Sequence, residues 1–296
     1  MRLRNLLFAP GDDARKRDKA LAGPADAVVL DLEDAVGPDR KDAARAEVAA
    51  LLPGRARREV VVRVNGRTTP WYLADLAAVV PGAPAAVMLP KCTGMADMVA
   101  LDHHLEALEV AAGLPPGGIG VLALVTETAA SLTGLDYRGA PPRLRALCFG
   151  AEDLSSDLGI LPRDEAGAFA APVRQARAAT LLAAAAAGLP ALDTPFPDPR
   201  NPAGLQREAA AAARDGFAGK LCIHPGQLAA VAAAFTPDAG RVAWARRVVA
   251  GFDARPDAGV ISLDGQMVER MHLRLARRVL DAVADPRGLT PPIATS

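Results

Sequence analysis

The stretch DAVVLDLEDAV, residues 26–36, decides the architecture. Its centre, AVVLDL at 27–32, is nearly unbroken apolar sequence with adjacent β-branched residues, and it gives way at once to Glu33 and Asp34. A strand that is apolar on both faces belongs in a parallel sheet covered on both sides. Seven further runs read the same way: NLLF at 5–8, EVVVRV at 59–64, AVML at 86–89, VLALV at 121–125, LRALCF at 144–149, ALDT at 191–194 and KLCI at 220–223. Helical spacing lies between them, at 43–52, at 95–112, at 171–187 before Gly188, and at 205–215 before Gly216. A glycine just past a helix is the usual stop signal. Eight strands alternating with helices predict an α/β fold of the (β/α)8 TIM-barrel type, not an open doubly wound sheet. The GxGxxG turn of a dinucleotide-binding sheet is missing.

The barrel accounts for residues 1–225, and residues 226–296 form a C-terminal helical extension. In the extension, 227–235, 239–254 and 269–284 read as helices, 260–263 as an extended piece, and Asp264-Gly265 as a turn. Pro286, Pro291 and Pro292 predict a frayed tail.

Composition narrows the function. Lysine plus arginine and aspartate plus glutamate both number 34, so the formal charge is zero, and 51% of the 296 residues are apolar. Nucleic-acid binders and membrane-surface proteins carry a basic excess, so neither partner is expected. No apolar run approaches ~18 residues and the N-terminus lacks a secretory pattern, so a soluble cytoplasmic protein is expected. The three cysteines, Cys92, Cys148 and Cys222, form no CxxC pair, which argues against structural zinc and disulfides. There are only five lysines, Lys16, Lys19, Lys41, Lys91 and Lys220, so a lysine at a special position carries information.

Barrel enzymes place reacting groups at the C-terminal ends of their strands. Here those ends carry Asp31, Glu33, Asp34, Arg63, Asn65, Lys91, Glu127, Glu152, Asp153, Asp193 and His224. Carboxylates converging on a small mouth repel one another unless a proton or a cation intervenes. Glu127 and Asp153 end adjacent strands, and with no His/Cys cluster nearby the hard cation they suit is Mg2+. Arg63 is a candidate for bidentate pairing with a substrate carboxylate. Structural duties compete with these roles. An acidic residue at a strand end also serves as a helix cap or loop ion pair. Asp31 and Asp193 suit arginine pairing under the mouth, Lys91 suits an ion pair, and His224 suits a loop hydrogen bond.

Several stretches together resemble the citrate lyase beta-subunit family, with its malyl-CoA and citramalyl-CoA lyase relatives and the wider HpcH/HpaI aldolases. They are LLFAPGDDARKRDKA (6–20), DAVVLDLEDAV (26–36), KDAAR (41–45), VVRVN (61–65), MLPK (88–91), TETA (126–129), LCFGAEDLSSDLG (147–159), GFAGKLCIHPGQ (216–227), AFTP (234–237) and LDGQMV (263–268). The resemblance implies a TIM barrel, commonly in a trimer, with Glu127 and Asp153 as magnesium ligands and Arg63 on the keto-acid carboxylate. It implies that Arg15 and Lys19 contact the CoA thioester, that Ile223 and His224 contact substrate, and that Glu33 and Asp34 support metal-bound waters. It implies that Asp264 acts as acid/base on the acyl methylene, often from a neighbouring subunit, so that the extension completes an active site or an interface. After Asp264-Gly265 the chain reads Val268-Glu269-Arg270-Met271, without the acidic-proline segment common in relatives.

The activity implied is reversible carbon–carbon cleavage of a 3-hydroxyacyl thioester of the malyl-CoA or citramalyl-CoA type into a keto acid and an acyl-CoA. The alternatives are a citrate lyase beta subunit working on a citryl thioester of an acyl-carrier protein, a thioesterase or malate-synthase-like activity on the same scaffold, and a non-catalytic relative.

Overall fold

Eight short strands close into a parallel barrel in sequence order, β1 (Asn5–Pro10), β2 (Ala27–Asp31), β3 (Val60–Arg63), β4 (Ala86–Leu89), β5 (Gly120–Leu124), β6 (Leu144–Cys148), β7 (Ala191–Asp193) and β8 (Gly219–Cys222). The computed structural model describes residues 1–53 and 59–284. The tail expected beyond 285 lies outside the described residues. Side chains alternate across each strand. Leu6, Val29, Val61, Met88, Leu122 and Leu221 fill the barrel interior. Leu7, Leu30, Val62, Val87, Val121 and Cys222 pack outward into the layer beneath the helices. The same parity sends Asp31 and Arg63, the last residues of β2 and β3, inward at the mouth, where they are register partners.

The helices are α1 (Ala14–Ala22), α2 (Lys41–Leu51), α3 (Tyr72–Val79), α4 (Met95–Ala111), α5 (Ala151–Leu158), α6 (Ala171–Ala186), α7 (Pro202–Asp215) and α8 (Leu228–Ala234). β5 is followed only by a 3-10 turn, Ala130–Gly134. α1, α3 and α5 are short helices that apolar periodicity does not reveal. α8 packs on α7, β1 and β8, and lies past the boundary expected at 225. β8 ends at Cys222, so Ile223 and His224 belong to the following loop.

The C-terminal extension consists of α9 (Ala239–Asp253), β9 (Val260–Leu263), β10 (Gln266–Glu269) and α10 (Arg270–Ala284). The expected extended piece is half of an antiparallel hairpin, with Leu263 opposite Gln266. Its turn places Asp264 at φ 53 and Gly265 at φ 76. Two consecutive positive φ values are what a tight two-residue hairpin turn needs. The extension has an apolar core of its own, built from Val248, Phe252, Ile261, Val268, Leu273 and Val279.

Candidate active site

The site is built outward from the pair Asp31–Arg63. Arg63 Nε donates to Asp31 Oδ1 at 2.8 Å and Nη2 to Oδ2 at 2.7 Å. Asp31 also accepts the backbone N–H groups of Glu33 at 2.9 Å and Ala35 at 3.1 Å, which folds the acidic turn back over the strand. The buried ammonium of Lys41 ties down the same turn by donating to the carbonyls of Leu32 and Glu33 at 2.8 and 2.7 Å. Asn65 Nδ2 adds a bond to Leu32 O at 2.9 Å and another to Asp75. With two nitrogens committed to Asp31, the third, Nη1, lies 3.0 Å from Glu33 and 3.6 Å from Asp34. The Phe8 ring lies 4.9 Å from the guanidinium. Burial works to lower Arg63, but Asp31, Glu33 and Glu127 hold it above its ordinary value.

Glu127 and Asp153 meet this group through Lys91. Glu127 is 3% exposed. Its Oε2 accepts the backbone N–H of Lys91 at 2.5 Å. Lys91 presents that N–H from a left-handed conformation, φ 51, which an L side chain adopts at a cost. The Lys91 ammonium pairs with Glu33 and lies 3.3 Å from Asp153 and 3.5 Å from Asp34. Burial, reinforced by the Asp153 charge, pushes Glu127 up to about 8 against the pull of Arg63 and Lys91. Burial likewise pushes Glu33 up to about 7 despite Arg63 and Lys91. Burial works to lower Lys91, but Glu33, Glu127 and Asp153 together hold it above its ordinary value.

The structure thus gathers Arg63, Glu33, Asp34, Glu127 and Asp153 into one cluster. Among the described residues, Arg15, Lys19, Ile223, His224 and Asp264 make no hydrogen bond or ion pair with it. Arg15 and Lys19 are exposed one turn apart on α1. Ile223 is 45% exposed, and His224 caps the next turn by accepting Gly226 N–H at Nδ1, 3.1 Å. Asp264 sits at the exposed hairpin tip, 2.7 Å from Arg247 on α9. None of the hydrogen bonds or ion pairs of the mouth among the described residues includes it.

Three contributors have roles that the sequence did not assign to them. Lys41 holds the acidic turn, and its signals were lysine scarcity and its place at the head of the KDAAR stretch. Gly150 leaves room for Glu127, because a Cβ there would lie 2.5 Å from Glu127 Cγ. Lys91 was read as an ion-pair residue, but its backbone contact with Glu127 depends on a φ value that sequence does not reveal.

The donor set fits a divalent ion that keeps most of its water. Among the described residues no group of three or more His, Cys, Asp or Glu side chains is placed to hold a metal ion by itself. Two carboxylates from adjacent strands suit Mg2+, which is typically held by one or two carboxylates plus water and substrate. A buried oxygen nearby, Glu33 Oε2, has no hydrogen-bond partner beyond its ion pair with Arg63 Nη1 at 3.0 Å. No helix among the described residues is long and apolar enough to cross a membrane.

Comparison with known proteins agrees with this geometry. The family model for HpcH/HpaI aldolase/citrate lyase matches residues 4–225. The citrate lyase subunit beta of Escherichia coli is 36% identical over 281 residues, 94% of this chain and 92% of the relative. A (3S)-malyl-CoA thioesterase of Cereibacter sphaeroides is 35% identical over 94% of this chain and 93% of its own. The CitE protein of Mycobacterium tuberculosis, solved in complex with magnesium, acetoacetate and coenzyme A, superposes with a TM-score of 0.78 at 36% identity, covering 96% of this chain and 99% of that one. The closed eight-stranded barrel, the matched family model and these near-full-length relatives give one result: the chain belongs to the HpcH/HpaI aldolase/citrate lyase family of enzymes.

Proposed function

We propose that the protein is a magnesium-dependent carbon–carbon lyase that cleaves a 3-hydroxyacyl-CoA of the malyl-CoA or citramalyl-CoA type into a keto acid and an acyl-CoA. The observation that carries this reading is the meeting of Glu127 and Asp153, through Lys91, beside the one Arg63 nitrogen not committed to Asp31. Glu127 and Asp153 would hold magnesium, which would supply Lewis-acid stabilisation of the negative charge that develops on the keto acid. Arg63 Nη1 binds the keto-acid carboxylate, at the expense of its contact with Glu33. Glu33 and Asp34 orient water around the site. Arg15 and Lys19 pair with the CoA phosphates, and Ile223 and His224 line the path of the thioester.

In the cleavage direction a general base takes the proton of the substrate hydroxyl, the carbinol C–O becomes the keto carbonyl, and the bond from the carbinol carbon to the thioester α-carbon breaks. The bonding pair passes to the thioester as an enolate, and the carbinol carbon leaves as the keto acid. Asp264 then protonates the enolate carbon, and in the reverse direction it removes that proton. General acid/base help of this kind contributes roughly 10²–10⁴-fold. Asp264 stands at the exposed tip of the extension and pairs with Arg247 instead of the cluster, which supports a role toward a neighbouring subunit. We read the assembly as a homotrimer in the cytoplasm, and the three buried free cysteines fit a reducing compartment.

The named relatives favour two other readings of the same site. Hydrolysis would release free CoA, and a citrate lyase subunit would need a citryl thioester on an acyl-carrier protein. One assay separates them: malyl-, citramalyl-, hydroxymethylglutaryl- and citryl-CoA are each incubated with the protein and magnesium, with and without EDTA. Acyl-CoA plus keto acid, lost in EDTA, is the expected result. Free CoA and hydroxy acid would make it a thioesterase, and turnover that survives EDTA would defeat the metal reading.

A further inference from the structure

Lys91 does two separable things at the mouth. Its backbone N–H supports Glu127, and its ammonium reaches across to Glu33, Asp34 and Asp153. The second is unexpected beside a pair of carboxylates suited to a divalent ion. Asp31 already neutralises Arg63, so Glu33, Asp34, Glu127 and Asp153 share the Lys91 ammonium as their nearest uncommitted cation. We propose that the Lys91 side chain is a tethered counter-ion that competes with the divalent metal for Asp153 and thereby sets metal affinity. This inference rests on the metal reading above.

The argument is electrostatic. The ammonium lies 3.3 Å from Asp153 Oδ1, and both side chains are only about one-third exposed. A divalent ion drawn to Asp153 meets this like charge at close range, where solvent screens it incompletely. Metal entry therefore costs the Lys91–Asp153 contact, and the ammonium falls back on Glu33 and Asp34, within its reach. The arrangement keeps the carboxylates together without the ion and weakens metal binding, so occupancy follows the free metal concentration. The backbone conformation gives a clean way to separate the two roles. Glycine adopts positive φ without strain, so Lys91→Gly keeps the N–H on Glu127 while deleting the ammonium.

The probe is Mn2+ binding to the EDTA-treated full-length protein, followed by electron paramagnetic resonance, with thermal melting alongside. Lys91→Gly and Lys91→Met are expected to bind Mn2+ at least about threefold tighter than wild type, the scale of a partly exposed charge contact acting on a divalent ion. Lys91→Arg, which keeps the charge, stays near wild type. Metal-free Lys91→Met melts lower than wild type and gains more from added Mg2+. A merely structural lysine would lower the melting point with and without metal and leave affinity unchanged. Unchanged or weaker Mn2+ binding by both uncharged variants, with wild-type binding intact, overturns the inference alone. No Mn2+ binding by wild type overturns the metal reading and the inference with it.

Discussion

Gly150 stands directly against Glu127: a Cβ at position 150 would lie 2.5 Å from Glu127 Cγ and 3.2 Å from its Oε1. The glycine is not there for its backbone, because φ −113 and ψ 105 suit any residue. It is there for space. Gly150→Ala therefore folds but pushes the Glu127 carboxylate out of line with Asp153. Displacement of a reacting group by about 1 Å costs on the order of 10²-fold in rate. The expected outcome is a turnover loss of that size with a melting temperature close to wild type. A variant with wild-type turnover would show that Glu127 has freedom to move without consequence.

Asp31 and Arg63 are register partners on β2 and β3, and their side chains are 1% and 11% exposed. Removing the Asp31 charge leaves the buried Arg63 with only Glu33 and Asp34 as partners, at a cost of up to about 3–5 kcal/mol, the scale of a broken buried pair. Asp31→Asn also turns an amide donor toward a guanidinium that only donates. The variant is expected to lose that much stability in urea unfolding and to lose affinity for the keto acid, since the freed Arg63 swings toward Glu33. A loss of stability with unchanged affinity would mean that the Asp31 anchor does not orient Arg63 for substrate.

The barrel was legible because parallel strands sealed on both faces must be apolar throughout, and eight such runs recur between helices. The cluster was legible in part for the same reason: a carboxylate at the end of an apolar strand stands out, as Glu127 does after VLALV and Asp153 after LRALCF. The pairing of Asp31 and Asp193 with arginines also follows, since a buried carboxylate needs a partner. The rest depends on backbone detail. The φ of 51 at Lys91 and the space at Gly150 leave no trace in composition or periodicity. α5 begins AEDLSSDL, a polar sequence whose helical nature comes from packing Ala151 and Leu154, so Asp153 was placed beyond the strand without its helix. Asp264 was legible as a turn residue, but what it faces depends on chain–chain arrangement.

Asp193 offers a test of pH dependence away from the site. It is fully buried and accepts from Arg177 at 2.8 Å and from Lys220 at 2.8 Å, while Lys220 also holds Glu208 at 2.7 Å. Burial works to raise Asp193, but Lys220 and Arg177 hold it below the usual carboxylate range. A depressed carboxylate contributes stability that is present above its unfolded value, ~3.9, and is lost as pH falls through the folded value. Wild type should therefore lose stability as pH falls below about 4. Asp193→Asn should be less stable at neutral pH by about 3–5 kcal/mol, because two buried cations lose a partner. Its acid slope should also be shallower. Parallel urea titrations across that range read both effects, and identical slopes would remove Asp193 from the acid response.

Asp264 and Glu127 provide the test of whether the site is shared between chains. Asp264 is held at an exposed hairpin tip by Arg247, on an extension with its own core, whereas Glu127 is sealed in the barrel mouth. If Asp264 serves a neighbouring barrel, Asp264→Asn and Glu127→Gln damage different halves of a composite site. Each variant alone is then inactive. Unfolding, mixing and refolding the two in equal amounts should restore about a quarter of the wild-type rate, because in a closed ring each site draws its barrel from one chain and its hairpin from the next. Cross-linking the mixture and sizing it reads the subunit number in the same experiment. A mixture as inactive as its parents, despite proven subunit exchange, would place Asp264 in service of its own barrel or outside the chemistry altogether. Proton exchange at the acyl methyl in deuterated water decides between those two, since Asp264→Asn abolishes it only where Asp264 is the base.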